Sequence, residues 1–238
     1  MTRRRWIADE VSGKRAVLLG AHAEHLARVL RARVGQEFDI TAGNEVRSGR
    51  VIAVAQDRVE FELGDAVSAP VAVQVTVALS IFKFDRMEWA IEKCTELGAT
   101  RIVPVIARRT ETHLASAAAR RVERWRRIVL QAAEQSRRVS PPEISDPVKL
   151  KDTVALPGSL RVVLSESETR VMLKDVLQSH LGRSDIVLAL GPEGGWADDE
   201  LEMFQEAGWI SASLGSTILR AETAAIASLA VVLAELQS

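Results

Sequence analysis

Leu188 to Glu200 read LALGPEGGWADDE. An apolar strand runs into Gly191-Pro192-Glu193-Gly194-Gly195, and a helix then opens with acidic residues in its first turn. In an open α/β sheet, ligands sit at such carboxyl-terminal strand ends. Glycines there let backbone amides approach a ligand closely. No Lys-Ser/Thr follows the glycines, so this is not a P-loop, and the chain has no G-x-G-x-x-G dinucleotide fingerprint. An acidic first turn repels phosphate, so a ligand here is something other than a bound polyphosphate. The same letters also suit a glycine-rich turn that binds nothing.

Working outward, Ser213 to Ala225 read SLGSTILRAETAA: a strand, a Leu214-Gly215 turn, Ile218-Leu219, then Arg220-Ala221-Glu222-Thr223 opening the last helix. Arg220 and Glu222 are the only charges between Ile210 and Val232. Charges set into such a stretch either cap the helix or work at a site. Upstream, VAVQVTVALS (71–80), RIVPVI (101–106), RVVLSE (161–166), DIVLAL (185–190) and WISASL (209–214) read as strands. They alternate with helices over 86–98, 120–135, 169–180, 198–207 and from about 221. Near-continuous apolar strands alternating with helices predict an α/β fold with a mostly parallel sheet. Pro104 favours an edge or a strand end. The first seventy residues differ: EFDIT (37–41), GRVIAVA (49–55) and RVEFELG (58–64) are short strands between turn formers, predicting a small barrel or curled sheet. Ala66 to Pro70 is a linker candidate, which gives domains at 1–69 and 70–238.

The 238 residues carry 31 Lys+Arg and 32 Asp+Glu, and a net charge of −1 by itself argues against a nucleic-acid partner. The distribution reverses that. Residues 1–50 have a balance of +4 and residues 101–140 of +7, all ten cations of the latter being arginine, whereas residues 191–238 reach −7. Arginine-rich stretches suit phosphate recognition, and equally suit a solvated helix face. One cysteine, Cys94, excludes an internal disulfide and a multi-cysteine zinc site, and the four scattered histidines share no metal-ligand spacing, so no metal is expected. The longest apolar run, 224–234, is too short to span a bilayer, and no apolar segment with a cleavage site follows the basic N-terminus, so the expected location is the cytoplasm.

GPEGG followed by WADDE, with SLG-x-x-ILRAETA about twenty residues on, resembles the knotted SPOUT methyltransferases, and among them the RsmE family of 16S ribosomal RNA uridine-N3 methyltransferases. KFDRMEWAIEKCTELGA (83–99), ERWRRIVLQAAEQSRR with P-P-E-I downstream (123–144) and HLARVLRARVG (25–35) agree with that family, so the resemblance runs through nearly the whole chain in order. Trp196 stands where phenylalanine is usual, and Ser216-Thr217 where the family commonly has proline and arginine. The resemblance implies a SPOUT α/β-knot, with a deep trefoil knot in the C-terminal part, and an N-terminal PUA-like β-barrel that binds RNA. It also implies S-adenosylmethionine held bent in the knot by backbone groups, and a homodimer that completes the site, with the last helix packing on the partner.

Carried onto this sequence, the cofactor residues are Leu164 and Ser165, then Leu190, Gly191, Pro192, Glu193, Gly194 and Gly195, then Leu214, Gly215, Ile218, Leu219, Arg220 and Thr223. The phosphate-contact candidates are Arg3, Arg4, Arg5, Arg31, Arg108, Arg109, Arg137 and Arg138. The implied substrate is a uridine of 16S RNA in the 30S subunit. Uracil N3 carries a proton and lies on the pairing edge, so the base must be unpaired or extruded. Arg220 is the candidate to stabilise charge on a uracil carbonyl, and Glu166 or Glu222 to accept or relay the proton. Two other readings compete: a knotted methyltransferase acting on tRNA, and an RNA-binding assembly factor without catalysis. Cys94 reads as core, Trp89 and Trp125 as packing anchors, and Trp6 and Trp196 as the better stacking candidates.

Overall fold

In the N-terminal part, buried and open positions alternate with the strand period of two. Val59, Phe61 and Leu63 are buried between Arg58, Glu60 and Glu62, and Phe38 and Ile40 flank Asp39. The computed structural model describes residues 5–43, 45–66, 73–136, 138, 140–180, 182–183 and 185–236, so Arg3, Arg4 and Arg137 lie outside the described residues. The strands are β1 (Arg5–Ile7), β2 (Glu10–Ser12), β3 (Arg15–Leu19), β4 (Glu37–Ala42), β5 (Glu45–Val54) and β6 (Arg58–Ala66), with helix α1 (Gly20–Glu24) continuing as a π turn over His25–Val29. They form one sheet in the order β1-β4-β5-β6-β3-β2. The pair β1–β4 is parallel and the others are antiparallel. The edge strands β1 and β2 are joined by Ala8 and Asp9 alone, whose N–H groups donate to Thr41 O of β4 (3.0 Å) and Val17 O of β3 (2.9 Å). One short segment thus serves both edges, and the sheet must curl. Its inner face holds Leu18, Leu26, Ile40, Val51 and the edge-to-face pair Phe38–Phe61.

The remaining elements are β7 (Gln74–Ser80), α2 (Phe84–Leu97), β8 (Arg101–Ile106), α3 (Thr112–Gln135), β9 (Glu143–Ile144), β10 (Val148–Lys149), α4 (Leu150–Val154), β11 (Leu160–Leu164), α5 (Leu173–Ser179), β12 (Asp185–Leu190), α6 (Asp198–Glu206), β13 (Ile210–Ala212) and α7 (Ala221–Leu236). The second sheet runs β10-β8-β7-β12-β11-β13 with β9 beside β8. Every described pairing in it is parallel. Alternate residues of one strand feed two cores. Ile186, Leu188 and Leu190 face α2, α3, α5 and α7, while Val187 and Ala189 face Trp196, Phe204 and Trp209. Burial on both faces is why β12 reads as an uninterrupted apolar run.

From β11 the chain passes to β12 on one side, then back across to β13 on the other. Such a reversal opens a crevice above the carboxyl ends of the strands. Those ends are level, because Leu164 lies beside both Leu190 and Ala212.

Several expectations change. Packing groups the chain into two compact units, and the end of α3 from Glu134 goes with the first; residues 67–70 of the linker candidate lie outside the described residues. Helix α3 starts at Thr112, eight residues before its apolar stripe became legible, because the alanine-rich first turns carry little hydrophobic signal. Pro104 lies inside β8, where it pairs in register with Leu79. The carbonyls of Ile102 and Val105 bond Ser145 and Ile81, on opposite sides. By alternation, residue 104 faces the gap between β9 and β10, where no N–H is required. Helix α7 buries Leu229 and Val232 fully in the core of its own chain, one of the two packings its sequence allows. Trp89 is about half exposed and is not a packing anchor, whereas Trp125 is fully buried.

Candidate active site

The three loops that follow β11, β12 and β13 enclose a cavity of about 740 Å³. The first contributes Leu164 and Ser165, together with Glu166, Glu168, Thr169 and Met172. The second contributes Leu190, Gly191, Pro192, Glu193, Gly195 and Trp196. The third contributes Leu214, Gly215, Ile218, Leu219 and Arg220, followed by Ala221 and Ala224 at the start of α7. Twelve of the fourteen residues expected to hold a cofactor therefore meet at one place. Gly194 and Thr223 do not line it. Gly194 is exposed and directs its carbonyl to Arg109, and Thr223 faces solvent on the first turn of α7, where Ala224 takes the inward position.

Backbone conformation calls for glycine at 195, and close quarters favour it at 191. Gly195 has φ +68°, and a Cβ there would lie 2.7 Å from Glu166 Oε1. A Cβ on Gly191 would stand 3.3 Å from the backbone of Gly195 and from Trp196. The indole of Trp196 is buried, donates to Leu164 O (3.1 Å) and packs edge-on against Phe204. It locks the second loop to the first and has no face open for stacking on a base. Trp6, the other stacking candidate, is half-buried beside His22 and His25.

A buried carboxylate fixes the far side of the loop. Glu200 accepts the N–H of Ala197 (2.9 Å) with one oxygen and that of Arg108 (2.7 Å) with the other. The Arg108 guanidinium pairs with Asp199 (2.6 Å), and Arg109 donates to Gly194 O (2.6 Å). Two arginines expected to meet RNA are thus tied to the glycine loop. In the first loop, Ser165 N donates to Ala212 O (3.0 Å), and Glu168 accepts the N–H groups of Arg170 (2.7 Å) and Val171 (3.1 Å). Those backbone donors, Arg170 first, hold the Glu168 carboxyl below its ordinary value.

The residue that sequence reasoning missed is Arg86, at the start of α2. It lines the cavity, bonds Glu193 Oε1 at 2.7 Å, and its Nε lies 4.0 Å from Glu222 Oε1. Glu222 is buried outside the cavity lining, and its second oxygen has no hydrogen-bond partner among the described residues. A buried carboxylate needs a compensating cation, and Arg86 is the one at hand. Only the position of Arg86, beside Phe84 in a family-like stretch, pointed to it. Glu166 and Arg220 both reach the cavity, and the Arg220 guanidinium makes no ion pair among the described residues. Cys94 is buried on α2, and desolvation pushes its thiol up to about 12, so it is core and no nucleophile.

Among the described residues there is no group of three or more His, Cys, Asp or Glu arranged to hold a metal, and no helix long and apolar enough to cross a membrane. The RNA methyltransferase domain family matches residues 69–233. The chain is 32% identical over 215 residues to a ribosomal RNA small subunit methyltransferase E of Rickettsia conorii, covering 88% of this chain and 85% of that one. It is 33% identical over 234 residues to the Synechocystis protein of the same name, covering 97% and 76%. In three dimensions it resembles the crystal structure of a ribosomal RNA small subunit methyltransferase E from Neisseria gonorrhoeae bound to S-adenosyl methionine, with a TM-score of 0.79, 28% identity and 98% of each chain covered. With a cavity built by its own glycine loops at the expected strand ends and these relatives across most of its length, this chain belongs to the ribosomal RNA small subunit methyltransferase E family.

Proposed function

We propose that this protein transfers the methyl group of S-adenosylmethionine to N3 of a uridine in small-subunit (16S) ribosomal RNA, acting on the assembled 30S particle in the cytoplasm. The observation that carries the reading is the meeting of three loops at level strand ends around one cavity. The residues present fit the cofactor. Glycines leave backbone accessible, and Glu166, Glu168 and Glu193 outnumber Arg86 and Arg220 in the wall, a negative balance that suits a sulfonium. When bound, the cofactor supplies an electrophilic methyl on a good leaving group.

The rest falls to the chain. The new bond is N3–CH3, the sulfonium S–CH3 bond breaks to leave the neutral thioether, and the N3 proton goes to a base. Glu166, exposed at the cavity beside Gly195, is the acceptor that the arrangement favours. Arg220 stands ready to stabilise negative charge on a uracil carbonyl. Holding N3 in line with the methyl is the largest contribution asked of the site. Glu222 acts through Arg86 instead of touching substrate.

The SPOUT knot is read into the return of the chain across β11, and the PUA-like character into the curled first sheet, with Arg5, Arg31 and Arg138 kept as RNA contacts there. A homodimer is read into α7, which is apolar nearly all round and leaves Ala227, Ala230 and Val231 partly or wholly open. Calorimetry with S-adenosylmethionine and a turnover assay on Arg220→Ala together test the reading. We expect cofactor affinity within about threefold of wild type and turnover down by two orders of magnitude or more, typical of a lost transition-state donor. Full activity in that variant removes the role, and no binding heat in the wild type supports a non-catalytic RNA binder.

A further inference from the structure

Four independent features fall within the ten residues His25 to Val34. The helix widens into a π turn at His25–Val29, closed by Leu30 N–H donating to His25 O (3.1 Å). Arg31 follows with φ +51°, the one non-glycine residue with positive φ among the described residues. Arg28, Arg31 and Arg33 are all exposed, and none of their guanidiniums makes an ion pair or hydrogen bond among the described residues. Val29 and Val34 are 65% and 67% exposed, the first between Arg28 and Arg31 and the second directly after Arg33.

Folding alone does not call for this arrangement. Position 31 follows the last helical residue, where the chain turns left-handed and glycine is the usual occupant. An arginine there accepts backbone strain that a glycine would not. The turn keeps Leu26 and Ala32 in the core, with Ala32 N–H closing on Leu26 O (3.0 Å). Ala27 and Leu30 pack partly against the same core, while Arg28, Val29, Arg31, Arg33 and Val34 are exposed. Strain and π turns both concentrate where a backbone has been fixed for a purpose. Three uncompensated guanidiniums on a short strap fit successive phosphates, and the two exposed valines next to them fit sugar and base faces.

We infer that residues 28–34 form an RNA-docking strap, in which Arg28, Arg31 and Arg33 contact phosphates of the substrate strand and Val29 and Val34 pack on its nucleosides. The inference rests on the proposed RNA substrate and extends it to a named surface.

The test uses the full-length protein, purified 30S subunits and protein-free small-subunit RNA, with binding measured across a salt series. Arg28→Glu/Arg33→Glu should weaken RNA binding at least tenfold and flatten the dependence of log K on log salt by about two, while S-adenosylmethionine affinity stays within twofold. Val29→Ser/Val34→Ser should weaken binding about threefold at unchanged salt slope. Arg31→Gly separates function from folding: its melting temperature should hold or rise, because the strain is relieved, while RNA affinity falls. Wild-type RNA affinity in the double-glutamate variant overturns the strap. So does a valine variant that leaves RNA binding intact but dissociates an oligomer in sedimentation, which would make the patch a protein contact. If the wild-type protein neither binds nor methylates small-subunit RNA, the functional reading itself fails, a result that no strap variant can mimic.

Discussion

Residues 101–140 hold ten arginines and residues 25–35 hold three, yet the two segments use them oppositely. In the longer segment Arg101 pairs with Glu143, Arg108 with Asp199, Arg121 and Arg124 with Glu88, and Arg126 with Glu123 and Asp146. Arg109 is spent on the Gly194 carbonyl, and burial pulls Arg138 below its ordinary value. Arg120 and Arg127 alone are exposed there without a partner among the described residues. In the short segment none of the three is neutralised. Most of the arginines behind the charge balance of +7 therefore serve pairing inside the protein. The weaker charge of the N-terminal part marks arginines left open to a polyanion. What counts for RNA is charge remaining after internal pairing.

That contrast is open to three attacks. The largest effect is expected from Arg86→Ala, which leaves the buried Glu222 carboxylate without a cation and releases Glu193 from the cavity wall. An unsatisfied buried group costs about 1–3 kcal/mol, so kcat/KM should fall roughly ten- to hundredfold with RNA affinity unchanged. Arg86→Lys should recover only part, because an ammonium does not span two carboxylates as a guanidinium does. Steady-state kinetics with separate RNA binding decide it, and lost RNA affinity at normal cofactor KM would place Arg86 on the wrong side of the comparison. Next comes Arg109→Ala, which frees the Gly194 carbonyl. We expect cofactor affinity to drop about tenfold by calorimetry, in keeping with a charge-assisted bond at an exposed rim, and the salt slope of RNA binding to stay as it was. A change of slope instead would make Arg109 a phosphate contact.

The smallest effect concerns Glu168. Its carboxyl is held below its ordinary value of 4.5 by backbone donors, so the ordering it gives the first cofactor loop is present in full above that pH. It is lost only as pH falls through the lower, folded value. Cofactor affinity measured from pH 7 downward should therefore be flat through the ordinary carboxylate range in this respect, and Glu168→Gln should remove the ordering at all pH values. A fall in affinity already centred near 4.5 and equal in both proteins would deny Glu168 this part.

Much of this was legible because local chemistry and tertiary role coincide. The run of apolar residues in β12, the glycines after it and the start of α7 at Ala221 each follow from their own letters. The curled first sheet followed from its short strands in the same way. Arg86 was not legible, because its role depends on α2 bringing it beside two glutamates more than a hundred residues away. Thr223 and Ala224 differ by one step of a helix, and only the packed helix tells which of them faces the cavity. Arg108 and Arg109 look like an RNA contact in sequence because a phosphate and the acidic rim of a neighbouring loop ask for the same side chain.

The measurement that bears most directly on the whole account is transfer of label from S-adenosylmethionine to purified 30S subunits and, in parallel, to total tRNA, with nucleoside analysis of the labelled RNA. The account predicts label in the 30S RNA alone, recovered as N3-methyluridine. Label confined to tRNA, or recovered on a ribose, would contradict it.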